Sequence, residues 1–335
     1  MPKQVVPVGI WSTGIYVPER ILTNADLERM VDTSDEWIRT RTGIRTRHIA
    51  AEHEAASDLA IQAARRALED AGVDAEEIDL IIVATNSPDM LFPATACLVQ
   101  HALGAREAGA FDVQAGCTGF IYALACGSQF VASGTARTVL VIGTEVLSRL
   151  VNWKDRNTCV LFGDGAGAVI LGPVPEGYGI LATRLGAEGS GGHLLSLPAG
   201  LSRYPASEET LAKNQHFIHM NGREVFKFAV RVMEEGCREV LQAAGLGLKE
   251  LDFLIPHQAN IRIIEAAAKR FDLPLERVWI NVDRYGNTSA ASIPIALHEA
   301  LVAGRIQNGN HVVLVAFGAG LTWGAVLMRW YDHRR

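Results

Sequence analysis

Apolar positions along the chain switch between helical and strand-like spacing in an order that occurs twice. In DLAIQAARRALEDAG, Leu59, Ala63 and Ala67 recur at helical spacing behind Ser57, a good N-cap residue, so the segment predicts a helix. The next apolar run, IDLIIV, has the length and composition of a short buried strand. The unit Ala67 to Val83, ALEDAGVDAEEIDLIIV, returns as Val240 to Pro256, VLQAAGLGLKELDFLIP, with Asp79 opposite Asp252 at an offset of 173. Further on, Gly116-Cys117-Thr118, a helix and ARTVLVIG return as Gly286-Asn287-Thr288, a helix and GNHVVLVAFG, at offsets of 170 and 173. Repeated strand, helix, strand units predict a duplicated α/β fold whose halves, 1–172 and 173–335, pack as one body. Between the repeats, Gly172 to Asn221 is rich in Gly, Pro and Ser and is expected to be a connection with short strands that could carry specificity.

From Val113 to Ala136 the chain runs for 24 residues without a charge, long enough to span a bilayer. Gln114, Thr118, Ser128, Gln129, Ser133 and four glycines make it too weakly apolar for lipid. The expectation is a helix enclosed by protein, with no carboxylate near its start. With 335 residues, 49% hydrophobic and 20% charged, a disordered chain is excluded. A net charge of −6 argues against a general nucleic-acid or membrane-surface binder but leaves room for a local basic patch. Five cysteines without a C-x-x-C pair suit a reduced, cytoplasmic chain without structural zinc. The N-terminus, with one lysine, an early Pro7 and no small-residue cleavage site, is a poor secretion signal.

Three residues stand at equivalent or adjoining points of the repeat. Cys117 in VQAGCTGF follows a strand-like FDV and opens the uncharged helix, where the helix dipole and free N–H groups favour a thiolate and a developing oxyanion. His257 ends the second copy of the buried strand, and Asn287 occupies the turn that matches Cys117. Taken singly, a small core cysteine, a polar loop histidine and an N-cap asparagine account for them equally well. Pseudo-symmetry, however, gathers all three near one place. The string Gly163-Asp164-Gly165-Ala166-Gly167 is followed by AVILG, which reads as a strand, so it is no dinucleotide fingerprint. His216-x-x-His219 has no further ligand at metal-binding spacing.

The motifs AGCTGF, PHQAN and GNTSAAS, with GDGAGAV at 163–169 and FGAGLTWG at 317–324, resemble those of β-ketoacyl-acyl-carrier-protein synthase III, a thiolase-fold condensing enzyme, across essentially the whole chain. The resemblance implies a layered αβαβα core and a ping-pong decarboxylating condensation that initiates fatty-acid synthesis. Cys117 would take the acyl group from a short acyl-CoA, and malonyl-acyl carrier protein would then react with it. His257 and Asn287 would hydrogen-bond the thioester oxygen during decarboxylation, while the N–H groups of Cys117 and Ala319 would form the oxyanion hole. Relatives carry glycine at Ala319, and a backbone needing positive φ would resist alanine. No bound cofactor or metal is implied. Chalcone-type, polyketide-type and quinolone-type condensing enzymes share the set, an ester-forming acyltransferase would share only the acyl-Cys, and a non-catalytic carrier-binding module would need none of it.

The segment DEWIRTRTGIRTRHI places Trp37 beside Arg39, Arg41, Arg45 and Arg47, a local basic patch that would suit a nucleotide or, alternatively, be a solvated face. By resemblance Trp37, Arg41 and Arg156 contact the coenzyme A nucleotide, Asn260 organises water in the tunnel, and Met220 and Phe226 line it. Lys227, Gln258, Arg262, Lys269 and Arg270 would dock the acidic carrier protein. Phe92 in DMLFPATA matches a residue that closes the acyl pocket of a neighbouring subunit, which implies a homodimer.

Overall fold

A computed structural model describes residues 5–333, and residues 1–4, with the lysine considered above, lie outside them. Two sheets carry the fold. The first contains strands β1 (Val8–Tyr16), β2 (Leu80–Ala84), β3 (Gly109–Val113), β4 (Val139–Glu145) and β5 (Gly165–Pro173), in the spatial order β1-β5-β4-β2-β3. The second contains β6 (Gly179–Ala187), β7 (Phe253–Pro256), β8 (His311–Gly318) and β9 (Thr322–Arg329), in the order β7-β8-β9-β6. Pairing follows one scheme in both: β1-β5 and β6-β9 are antiparallel, as are β5-β4 and β9-β8, whereas β4-β2 and β8-β7 are parallel. The segment after Gly172 therefore contributes a nine-residue edge strand, β6, and is more than a connection. Its pattern of half-exposed residues hides it from a search for apolar runs.

Helices α1 (Asp35–Thr42), α2 (Ala56–Ala71), α3 (Thr95–Leu103), α4 (Gly119–Ala132), α5 (Gly222–Ala243), α6 (Ile261–Arg270) and α7 (Ser292–Val302) complete the core layers and the α1 surface. The α4 and α7 helices lie between the sheets, where Phe120, Leu124, Ile293 and Leu297 pack against Ile82 and Val141 on one side and Ile255 and Leu314 on the other. The α2 and α3 helices cover the outer face of the first sheet, and α5 and α6 the outer face of the second. This is the layered αβαβα arrangement. Each fully buried Leu, Ile or Phe in the middle layer contributes about 1.5–3 kcal/mol relative to exposure, so a charge in α4 would be costly. No helix among the described residues is long and apolar enough to cross a membrane.

Two turns show the repeat at atomic detail. The α2 and α5 helices end near glycines of positive φ, Gly72 and Gly245, and each turn leads to an aspartate before the next strand. The Asp79 carboxylate accepts the Thr138 N–H at 2.9 Å, and Asp252 accepts the His311 N–H at 2.8 Å, so both fasten the start of the neighbouring parallel strand. Ser57 is not the N-cap of α2: it lies inside the helix, and its hydroxyl donates to Asp89 at 2.6 Å. The Asp58 carboxylate instead accepts the Ala55 N–H at the helix start.

Candidate active site

Cys117 lies in the turn between β3 and α4, two residues before the helix begins. This turn meets the 318–320 loop after β8 backbone to backbone. A Cβ on Gly116, which has φ +58°, would come within 2.5 Å of the Ala319 nitrogen, and one on Gly318 within 2.4 Å of the Cys117 nitrogen. Among the described residues neither the Cys117 nor the Ala319 N–H is taken up by a hydrogen bond to another residue. Ala319 is not among the positive-φ residues, while its neighbour Gly320 has φ +140°, so alanine is accommodated without strain. Cys117, Gly116, Ala319, Asn86 and Ser289 form the floor of a cavity of about 260 Å³. Its walls include Leu147 and Phe162 from the first half and Leu195, Leu197, Leu201 and Ile218 from the excursion after β6.

The segment 287–292 joins the three singled-out residues. Asn287 is tied by its N–H to Leu161 O at 2.8 Å, and its Oδ1 accepts the Ser289 N–H at 2.8 Å. That leaves its amide nitrogen without a partner among the described residues. Ser289 lines the cavity together with Cys117, and its hydroxyl draws the thiol pKa down. Ser292 Oγ lies 2.6 Å from His257 Nδ1 and also accepts the Gln258 N–H at 3.5 Å. If the Ser292 hydroxyl donates to Nδ1, the imidazole proton is on Nε2. His257 is 1% exposed, Phe317 packs edge-on against its ring, and burial lowers its pKa to about 3, so its imidazole stays neutral.

The electrostatics differ from the expectation for Cys117. Burial pushes its thiol up to about 12, with the Glu145 carboxylate acting in the same direction and the Ser289 hydroxyl and the Cys117 N–H opposing. Two residues ahead of α4, the thiol gains too little from the helix end to offset desolvation. A carboxylate is also close by, contrary to the inference from the uncharged window. Glu145 at the end of β4 is fully buried and accepts Asn86 Nδ2 and Ser87 Oγ, each at 2.6 Å, and the Asn86 N–H at 3.1 Å. Burial raises its pKa, and those donors pull it back. The sequence signal was present: Glu145 is a lone charge ending the apolar run VLVIGTE.

Outside the cavity lies an open cleft of about 1000 Å³ lined by Trp37, Arg41, Met220, Phe226, Lys227 and Arg262, among others. The guanidinium groups of Arg41 and Arg156 stand 5.6 and 5.2 Å from the Trp37 ring centroid. Asn260 also lines the cleft, but its amide caps α6 and donates to Arg41 O at 3.0 Å, so it pins the cleft walls together. Met220 and Phe226 face this cleft and not the inner cavity.

Several expected surface residues are placed elsewhere. Arg47 is not part of the patch: it is fully buried, donating to Asn24 Oδ1 and Val160 O at 2.8 and 2.7 Å, and desolvation lowers its pKa to about 10. Gln258 is 1% exposed and cannot dock a partner, because its amide bonds Pro256 O, Trp279 O and the N–H groups of Asn281 and Val282. Arg270 reaches Glu234 at 3.0 Å and Lys227 reaches Glu224 at 2.8 Å. Lys269 is exposed in the last turn of α6, away from Arg262 at its start. Phe92 is 80% exposed, beside Leu91 at 70%, and does not touch this chain's own cavity. Asp164 accepts backbone N–H groups from Ala50 and Ser148 and β5 follows it, as expected of a structural turn. His216 and His219 bond Thr210 and Asn214, and no group of potential metal ligands occurs among the described residues.

Comparison with known proteins bears on the family and the fold. Residues 111–189 match the family model for 3-oxoacyl-[acyl-carrier-protein] synthase III, and residues 241–330 match the model for its C-terminal region. The chain is 61% identical to β-ketoacyl-[acyl-carrier-protein] synthase III of Symbiobacterium thermophilum over 98% of this chain and 99% of the relative. The crystal structure of 3-oxoacyl-[acyl-carrier-protein] synthase III from Aquifex aeolicus is 53% identical, covers 96% of this chain and all of its own, and superposes with a TM-score of 0.89. The Thermus thermophilus enzyme is 52% identical, covers 97% of this chain and 99% of its own, with a TM-score of 0.90. Together with the duplicated thiolase-like fold, these matches show that the chain belongs to the β-ketoacyl-[acyl-carrier-protein] synthase III family.

Proposed function

We propose that this protein condenses a short acyl-CoA with malonyl-acyl carrier protein, releasing carbon dioxide and forming a 3-oxoacyl-acyl carrier protein that starts fatty-acid synthesis. The observation that carries the reading is a half-buried Cys117 thiol lining a largely apolar cavity with Ser289, whose segment 287–292 also holds the unpartnered Asn287 amide and, through Ser292, the neutral His257 imidazole, with a separate cleft lined by Arg41, Arg223, Lys227 and Arg262. Cys117 attacks the acyl thioester, and the Cys117 and Ala319 N–H groups hold the oxyanion while the coenzyme A thiolate leaves. In the second half-reaction the malonyl thioester oxygen takes hydrogen bonds from His257 Nε2 and Asn287 Nδ2 as the carboxylate departs. The resulting carbanion attacks the acyl-Cys carbonyl. Neither donor gains a proton, which suits a step in which charge grows on oxygen and then returns to carbon.

The cleft supports nucleotide and carrier binding. An adenine can stack on Trp37 with Arg41 and Arg156 near its phosphates, and Lys227 with Arg262 offers an acidic carrier protein its positive contact. Lys269 would extend that surface and Arg270 only after exchanging Glu234. The edge strand β3 and the exposed Met90, Leu91 and Phe92 suit a homodimer in which Phe92 reaches the neighbour's acyl cavity. A division of the halves at 172/173 is supported by its closeness to the end of β5 at Pro173, after which the chain runs to β6 at Gly179, and a cytoplasmic location fits the reduced cysteines. The reading needs no bound cofactor. It is tested by incubating the protein with acetyl-CoA and malonyl-acyl carrier protein: the expected product is 3-oxobutanoyl-acyl carrier protein, and its absence with a panel of short starters overturns the assignment.

A further inference from the structure

The two halves differ in how they hold the chain that leads into the shared turn. With Gly116 opposite Gly286, an offset of 170, β3 of the first half corresponds to residues 279–283 of the second. β3 is a full strand of its sheet, paired with β2 from Gly109 to Val113. Its counterpart stays out of the second sheet: after a bridge between Leu254 and Val278 and a bond from the Trp279 N–H to Leu254 O at 3.0 Å, the chain ends in a single helical turn, Val282–Tyr285. Side chains stand where the ladder is missing. Gln258, next to His257, donates to Trp279 O at 3.0 Å and accepts the Asn281 and Val282 N–H groups at 2.9 and 3.2 Å. Glu299 of α7 gathers four side chains of the same segment. Its carboxylate accepts Trp279 Nε1 at 3.2 Å, Asn281 Nδ2 at 2.8 Å, the Tyr285 hydroxyl at 2.7 Å, and both terminal guanidinium nitrogens of Arg284 at 2.7 and 2.8 Å.

We propose that Glu299 is a positioning residue for the malonyl half-reaction: by clamping 279–285 it fixes Asn287, two residues past Tyr285, relative to His257. This rests on the reading that those two side chains together hold the malonyl thioester oxygen. Two donors that must meet one atom need a fixed separation, and a misplacement of about 1 Å costs about 100-fold in rate. The backbone of Asn287 is bonded to the first half, through Leu161 O and the Gly163 N–H. On the side before Asn287, its link to His257 passes through Gln258 and Glu299. The α7 helix ties both ends of that link, since its first residue, Ser292, contacts His257 Nδ1 and Glu299 follows two turns later. The Glu299 side chain is only 14% exposed, and its two-point pairing with Arg284 sets direction as well as distance. Glu299 lines neither the inner cavity nor the outer cleft, so it acts through the segment and not on a substrate. Acylation of Cys117 uses neither donor and lies outside the reach of the clamp.

Single-turnover acylation by acetyl-CoA and discharge of pre-formed acyl-enzyme by malonyl-acyl carrier protein are timed for Glu299→Ala, Glu299→Gln and Tyr285→Phe. Glutamine keeps the shape and one acceptor oxygen but loses the charged two-point pairing with Arg284. The expected result is a discharge slowed by about 10- to 100-fold in Glu299→Ala and by less in Glu299→Gln, with acylation changed far less in both. The loss falls on the maximal discharge rate and not on the carrier-protein concentration that gives half of it. Combined with Asn287→Ala, Glu299→Ala adds little further loss, because the clamp acts through the asparagine. Equal losses in both half-reactions, wild-type discharge by Glu299→Ala, or losses that multiply fully in the double variant overturn the clamp. Should Glu299→Ala fail to fold, Glu299→Gln and Tyr285→Phe, which keep side-chain volume, decide by the same ratio of half-reactions. Discharge of Asn287→Ala at the wild-type rate instead overturns the reading on which the clamp depends.

Discussion

At the turn where the first half of the molecule places Cys117, the second half places Asn287, and where the first half ends a strand with Ala84, the second continues after its strand into His257, 173 residues later. The scaffolding around these points is the same in both halves, down to Asp79 and Asp252 fastening equivalent strands. Duplication therefore supplied two copies of one turn facing each other, and the side chains diverged only where they meet. On the proposed mechanism the first half carries the group that forms a covalent bond, and the second carries neutral donors that act on oxygen. Such a division keeps the nucleophile's chemistry separable from decarboxylation, and substitutions can pull the two apart.

The largest effect is expected in the first half. Cys117→Ala should abolish acyl transfer from acyl-CoA, a loss of about a million-fold on the scale seen for removed nucleophiles, with no acyl mass on the protein. In the second half, His257→Ala and Asn287→Ala should keep acylation but slow discharge by malonyl-acyl carrier protein by about 100- to 1,000-fold each, read as carbon dioxide release. A loss of acylation in these variants would mean the division between halves is drawn wrongly. Ser292→Ala removes the group that fixes the His257 tautomer and should slow discharge by about tenfold, the value of one hydrogen bond.

The pH dependence sharpens the same point. Because burial lowers His257 to about 3, acidification from pH 8 to 5 leaves the folded enzyme's imidazole neutral and its donor in place. Discharge measured over that range should show no loss centred near 6.5, and a limb there that disappears in His257→Gln would show a protonating imidazole. The smallest effect concerns the scaffolding: Asp79→Ala and Asp252→Ala should each cost about 1 kcal/mol of stability in denaturant unfolding, by similar amounts, with both half-reactions unchanged in the folded protein. Unequal half-reaction losses would show that the two turns are not interchangeable supports.

Much of this was legible in the sequence because duplication writes its own evidence: the matched segments located both sheets, both central helices and the turns bearing Cys117 and Asn287. What stayed hidden depended on partners distant in the chain. Gln258 reads as a surface amide until four backbone groups from two segments enclose it. Arg47 sits in a run of arginines that marks a basic face, yet alternation along its strand turns it inward to the carbonyl of Val160. Strand β6 has little apolar character because only one neighbour and one face cover it. Glu145 was overlooked for the opposite reason, since the uncharged window concealed a carboxylate supplied by another strand. The Ser292 hydroxyl lies in the recognised GNTSAAS motif, but its use follows only from seeing His257 beside it.

The central claim is that one half of the fold loads the acyl group and the other discharges it. Intact-mass measurement on Asn287→Ala tests it most directly, first after acetyl-CoA and then after malonyl-acyl carrier protein, beside the wild-type protein. The account predicts that both proteins gain one acetyl group on Cys117, and that the wild type loses it promptly on adding the malonyl partner while the variant retains it. A variant that never loads, or that unloads as fast as the wild type, would contradict the account.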